Sequence, residues 1–241
     1  AAAFAPHLIL VSQVMFGSGA VVRDLAALAE WVGAECAGAD GPLVVVDGYH
    51  GFMAMETDWS PFADRLFYMA GGYKYAMAGE GIALIHAPPG RAARPAVTGW
   101  YAAFEELAAG PGTVGYAADA RRLLGATFDP SGLYRFVAVR DMLAGEGLDT
   151  VRVAAHAAAL RDRFLAGIDG TALAAAELLN PPAAGAAQAR FLALRSPQAA
   201  RWQAELLARD IVTDVRGGVL RIGFGLYQTA RDVDQLIDEA A

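Results

Sequence analysis

Two unbroken apolar tetrads, Leu8–Val11 and Leu43–Val46, restrict the fold more than any other feature of this chain. Runs of four such residues, closed by polar or glycine-containing turns, suit strands buried on both faces and are far too short to cross a bilayer. Between them a Gly/Ser stretch at Gly17–Gly19 leads into Val22–Val32. There Leu25, Leu28, Ala29 and Val32 recur on one side at helical spacing. Pro42 breaks the chain before the second tetrad, which ends in Asp47-Gly48. The alternation continues with a strand over Asp64–Met69, the Gly71-Gly72 break and a strand over Gly81–His86. Strands interleaved with helical segments predict an α/β layer with a mainly parallel sheet.

From Gly132 to Ile168 the spacing is helical, and Leu173–Ala187, rich in alanine and interrupted by proline, reads as a helix followed by a loop. The last part carries strands at Phe191–Leu194 and Val219–Phe224, with helices at Ala199–Arg209 and Ala230–Ala240. The expected organisation is a large domain with a linking helix over residues 1–160 and a small α+β domain over 161–241.

Composition narrows the possible functions. With 56% hydrophobic and 19% charged residues the chain can bury a substantial core, which excludes a disordered polypeptide. The formal net charge of -7, with no stretch concentrating Lys and Arg, argues against nucleic acid as a partner. Ala1–Pro6 has no basic flank, so no cleavable signal is expected. The single cysteine, Cys36, allows no internal disulfide and no Cys-rich metal site, and the cytoplasm is the default expectation.

Of the 19 basic residues one alone is lysine, Lys74. Where arginine replaces lysine at every other position, the exception marks a place where a guanidinium cannot serve. An amine can lose its proton and act as a nucleophile; a guanidinium stays charged. A surface lysine surviving by chance is the competing reading, and its neighbours decide between the two. Asp47 follows Val44-Val45-Val46, so its carboxylate belongs at the carboxyl end of a strand, where open α/β sheets bind ligands. There it could cap a helix, bind a metal or pair with a cationic ring nitrogen. His50 comes three residues later, and Gly71-Gly72-Tyr73-Lys74-Tyr75 follows the next strand. A lysine for an aldehyde, a carboxylate for a pyridine nitrogen and polar groups for a phosphate are the parts that pyridoxal-phosphate (PLP) chemistry requires.

The run from Val44 to Pro88 resembles the cofactor region of the class V aminotransferase family, which includes kynureninases and cysteine desulfurases and has the PLP-dependent transferase fold (fold type I). The shared pattern is a strand ending in Asp, a Gln or His shortly after, and an aromatic-Lys pair some two dozen residues on. The resemblance implies that Lys74 holds PLP as a Schiff base and is the catalytic base. It implies that Asp47 pairs with the pyridine nitrogen, that His50 lies beside the ring, and that Tyr73 reaches the phosphate. Thr98-Gly99-Trp100 resembles the Gly-Trp segment that meets the phosphate of the neighbouring subunit in kynureninases, and Gly125-Ala126-Thr127 resembles a turn near the same phosphate. Leu220-Arg221-Ile222-Gly223-Phe224 resembles the strand whose arginine binds the substrate carboxylate; Arg216, across the same Gly-Gly turn, competes for that role.

The implied protein is a homodimeric PLP enzyme acting on an amino acid, either an aminotransferase or a kynureninase-like hydrolase. The chain departs from the pattern in two ways. The phosphate-binding turn and ring-stacking aromatic expected upstream of Leu8 are missing, which gives the expectation of a fragment or a subunit needing a partner. Cys36 precedes Asp47, whereas the persulfide cysteine of a desulfurase follows the lysine, so desulfurase chemistry is disfavoured. Two other readings stay open. One is a non-catalytic subunit that completes another chain's site. The other is an α/β nucleotide or metabolite binder, in which Lys74 could become Arg without loss.

Overall fold

The computed structural model describes residues 6–35, 41–91, 94–106, 108 and 115–240; Cys36 and the first five residues lie outside them. The first unit is a four-stranded sheet in the order β1-β2-β3-β4, formed by β1 (Leu8–Ser12), β2 (Leu43–Asp47), β3 (Phe67–Gly71) and β4 (Ala83–His86). β1, β2 and β3 run parallel and β4 returns antiparallel, so the sheet is mainly parallel as the alternation predicts.

Because side chains alternate along a strand, the register sorts them onto two faces. Val44, Val46, Tyr68 and Ala70 pack with Leu25, Ala29 and Val32 of α1 (Leu25–Glu35) in one core. On the opposite face Leu8, Leu10, Leu43 and Ile85 stay exposed.

α1 starts three residues later than the apolar spacing suggests. Asp24 accepts the Ala27 N–H at 2.8 Å and caps the helix, while Val21 is bridged to Val14. β3 likewise begins at Phe67 rather than Asp64, because the Arg65 and Leu66 N–H groups close a turn onto Phe62 O at 3.0 Å.

The long helical stretch is two helices, α2 (Ser131–Gly145) and α3 (Thr150–Gly167). The Leu148 N–H folds back onto Leu143 O at 2.7 Å and ends the first. Asp149 caps the second by accepting the Arg152 N–H at 2.7 Å. α2 holds the segment that follows Lys74: Arg135 donates to Ala78 O at 3.0 Å and to Glu80 O. Gly132 allows this approach, since a Cβ there would run into the Gly81 carbonyl.

The second unit is a four-stranded sheet in the order β5-β6-β8-β7, from β5 (Glu177–Leu178), β6 (Phe191–Arg195), β7 (Asp214–Arg216) and β8 (Val219–Gly223). Residues 173–187 are not a helix. A short 3₁₀ turn at Ala172–Ala175 gives way to β5, because Leu178 is recruited into pairing with Leu194. Leu192, Leu194, Leu220 and Ile222 form a core with Phe164 of α3, with Trp202 and Leu206 of α4 (Ala199–Leu207), and with Val233 and Leu236 of α5 (Ala230–Glu239). Phe191, Ala193 and Val219 face the other way and pack on Val14 and Met55 of the first unit. Arg221, of the same parity as Val219 on β8, is delivered to that shared face.

Candidate functional site

Asp47 is the last residue of β2, half-buried, and accepts the Tyr49 N–H at 2.9 Å through Oδ1. That bond tightens the turn carrying His50 back over the strand ends. Gly48 sits against the Tyr68 ring, where no side chain would fit.

Lys74 follows β3, and its Nζ lies 2.7 Å from Nε2 of His50. Phe16, from the stretch after β1, places its ring 5.8 Å from the His50 ring and 6.0 Å from Lys74 Nζ. Phe191 of β6 closes on His50 from the second unit at 5.6 Å. Arg221 lies with its guanidinium carbon 4.2 Å from the Phe16 ring and 5.5 Å from the Phe191 ring. Tyr73 is exposed, 5.7 Å from Tyr49 and from Lys74 Nζ. The structure thus gathers Asp47, His50, Tyr73, Lys74 and Arg221 from two sheets around one cleft.

The electrostatics of the cleft favour neutral bases. Burial, then the Lys74 and Arg221 charges, push the His50 imidazole down to about 4, against an opposing pull from Asp47. Lys74 is also lowered, by burial first and Arg221 next, with Asp47 opposing. A neutral imidazole beside an amine that loses its proton more readily than usual suits nucleophilic and base chemistry. His50 Nδ1 is buried with no hydrogen-bond partner among the described residues. Burial pushes the Tyr75 hydroxyl up to about 12.

The depressed His50 has a consequence for stability. Unfolded, it takes its proton near 6.5; folded, near 4. The stability it contributes is therefore complete above 6.5 and is lost as the pH falls through 4. Unfolding free energies from urea titrations between pH 7 and pH 4 are expected to fall further for the wild type than for His50→Gln. The difference should be about 2 kcal/mol after allowing for solvent screening.

Trp100 and Thr127 make no ring contact or hydrogen bond with Lys74 or His50 among the described residues. Trp100 packs beside Tyr101 and Phe104 at 5.4 and 5.7 Å, half exposed, and Thr127 is exposed. Their turns nevertheless meet each other: a side chain on Gly99 would strike Gly125 O, and Thr98 Oγ1 is buried without a hydrogen-bond partner among the described residues. The two candidate arginines are separated by exposure. The Arg221 side chain is 13% exposed and points at the cleft, whereas the Arg216 side chain is 58% exposed.

Sequence reasoning missed three contributors. Phe16 lies between β1 and the Gly17–Gly19 stretch, where only its place beyond a strand's carboxyl end could have signalled it. Arg190 is buried and donates to Ala54 O at 2.9 Å and Met53 O at 2.8 Å, across more than 130 residues of sequence. Asp214 meets Arg221 through the β7–β8 hairpin. No helix among the described residues is long and apolar enough to cross a membrane.

No family model and no curated protein matches the chain. Solved structures do. The apo cysteine desulfurase of Thermococcus onnurineus NA1 is 17% identical with a TM-score of 0.76, over 96% of this chain and 58% of that one. A substituted form of the cystine C-S lyase C-DES, with glycine covalently linked to its PLP cofactor, is 17% identical with a TM-score of 0.69, over 97% and 60%. An alanine–glyoxylate aminotransferase from Nostoc is 14% identical with a TM-score of 0.61, over 98% and 61%. The chain spans about three fifths of the length of each of these structures. Two four-stranded sheets, the first mainly parallel, make this the fold of those enzymes, the fold type I that the sequence resemblance implied.

Proposed function

We propose that this chain carries the cofactor and substrate cleft of a PLP-dependent enzyme of the class V aminotransferase type, acting on an amino acid through Lys74. The observation that carries the reading is the placement of Lys74 Nζ 2.7 Å from His50 Nε2, with the Asp47 and Arg221 charges both acting on the pair.

The residues fit the cofactor. Lys74 supplies the amine for its aldehyde, and Asp47 the carboxylate for its ring nitrogen. His50, with Nδ1 buried and unpaired, offers a polar edge beside the ring. Tyr73 is the phosphate contact proposed on the same chain. When bound, PLP supplies an electron sink for negative charge developing at the substrate's α-carbon. Arg221 binds the substrate carboxylate, and the Lys74 amine moves the α-proton. Burial and the Arg221 charge lower the proton affinity of Lys74, which favours that transfer.

The turns of Trp100 and Thr127 approach each other at Gly99 and Gly125, and the Trp100 and Thr127 side chains are exposed. That position suits a contact to the phosphate in a second subunit, and a homodimer is part of this reading. Within the class the reaction is aminotransfer or a kynureninase-like hydrolysis. The PLP-loaded protein, given a panel of amino acids with a 2-oxo acid acceptor, separates them. Aminotransfer yields a new 2-oxo acid, and hydrolysis of a side chain that carries a γ-carbonyl releases alanine. No product and no spectral change with any amino acid would contradict the proposal. Arg221→Ala is expected to lower kcat/KM by roughly 100-fold for free amino acids, the loss of a bidentate charged pair, and far less for amino-acid amides.

A second reading is favoured by the uncovered apolar face of Leu8, Leu10, Leu43 and Ile85, because parallel sheets are ordinarily covered on both sides. In it, a further stretch of polypeptide covers that face before the cleft takes up PLP. It predicts no chromophore from this chain alone, even with PLP in excess.

A further inference from the structure

Arg221 is held from behind. A Gly217-Gly218 turn, with φ of 53° and 78°, joins β7 to β8 and sets Asp214 directly opposite Arg221. Nε and Nη2 of Arg221 both donate to Asp214 Oδ2, the first at 2.8 Å, and Nη1 donates to Phe16 O at 3.0 Å. The other carboxylate oxygen of Asp214 is 2.8 Å from Nη1 of Arg216. A guanidinium has five N–H groups. Three are engaged, which leaves one on each terminal nitrogen, a pair matched to the two oxygens of one carboxylate.

We infer that Asp214 is a positioning residue of the carboxylate site and Arg216 its charge-balancing partner. Asp214 locks the Arg221 plane so that the remaining N–H pair meets an incoming monocarboxylate. Arg216 neutralises Asp214, so the three side chains together keep one positive charge to attract it. The inference rests on the proposed role of Arg221 as the carboxylate ligand. It gives exposed Arg216, a competitor for that role in the sequence, a different task.

The roles separate by the sign of the effect. Charge alone predicts that Asp214→Asn, which makes the site more positive, binds a carboxylate more tightly. Positioning predicts weaker binding, because the freed guanidinium samples other rotamers.

The test uses the cofactor-free protein, labelled with ¹⁵N and titrated with acetate while the arginine Nε–H resonances are followed. Arg221→Lys identifies the Arg221 signal by its disappearance. In the wild type that signal is expected to be sharp and to shift saturably. Asp214→Asn is expected to broaden it and weaken acetate binding by about tenfold. Arg216→Ala is expected to leave the signal in place while weakening acetate a few-fold, with Arg216→Lys restoring it. Equal or tighter acetate binding by Asp214→Asn would overturn the positioning role, and unchanged binding by Arg216→Ala would overturn the charge-balancing role. Acetate that leaves Arg221 unmoved in a protein that does load PLP on Lys74 would sink this inference alone. A saturable shift in a protein that never loads PLP would sink the cofactor reading alone.

Discussion

Lys74→Arg is expected to give a folded protein that forms no PLP chromophore and whose turnover is lower by at least about 10³-fold. The substitution keeps the positive charge and nearly the length of the side chain. What it removes is the ability to become a neutral amine, since a guanidinium does not release its proton in proteins. The wild-type surroundings shift Lys74 toward that neutral form. Burial and Arg221 lower the proton affinity of Lys74, and His50 stands 2.7 Å away without a charge of its own. An arginine at 74 would put a permanent cation into the same space, facing Arg221. Visible absorbance on titration with PLP and turnover with the best amino acid check the expectation. Circular dichroism confirms that the variant is folded. A variant with normal activity would favour the nucleotide or metabolite binder, where position 74 supplies charge alone.

Arg190→Ala is expected to produce the largest loss of stability of any single change near the cleft, about 3 kcal/mol, read as a fall in melting temperature of about 8 °C. The buried guanidinium bonds the carbonyls of Met53 and Ala54 and lies 5.4 Å from the Tyr75 ring. It pins the turn after His50 and the residue after Lys74 to the second sheet. Truncation leaves two carbonyls short of donors and opens a void beside Phe191, which itself rests on His50. Arg190→Lys, able to keep the charge and one bond, should recover part of the loss. Thermal unfolding of the three proteins tests this. A change below about 0.5 kcal/mol, the size expected of an ordinary surface substitution, would show that the clamp carries no weight.

The parts of this architecture that were legible in the sequence are those that depend on local pattern. Leu43–Val46 read as a strand buried on both faces; it is a strand, with Asp47 at its carboxyl end, but only Val44 and Val46 are buried and Leu43 is exposed. The glycines before Lys74 marked where the next strand stopped. The alternation in Val219–Gly223 separates Leu220 and Ile222 from Arg221, and the structure sends them to opposite faces. Element edges were less legible because caps set them. Asp24 and Asp149 decide where helices begin, through single hydrogen bonds that apolar spacing does not register.

Residues 173–187 read as a helix followed by a loop, but Glu177 and Leu178 were drawn into strand by pairing with β6, a tertiary gain that outweighs propensity. Arg190 was invisible because its partners lie more than 130 residues away. The Asp214–Arg221 pair could have been found. A two-residue Gly-Gly hairpin fixes the register, and counting back from the turn places Asp214 opposite Arg221. Trp100 and Thr127 were joined to the site by resemblance alone, and the structure puts their turns together.

The central claim is that Lys74 is the residue that holds the cofactor. It is tested most directly by loading the purified protein with PLP, reducing with borohydride and mapping the labelled peptide by mass spectrometry. The account predicts a visible chromophore that bleaches on reduction, with the label on Lys74 and nowhere else; Lys74 is the one lysine in the chain, so a specific reaction has a single side-chain amine to find. A chromophore that resists reduction, or a label confined to the chain's amino terminus, would contradict it.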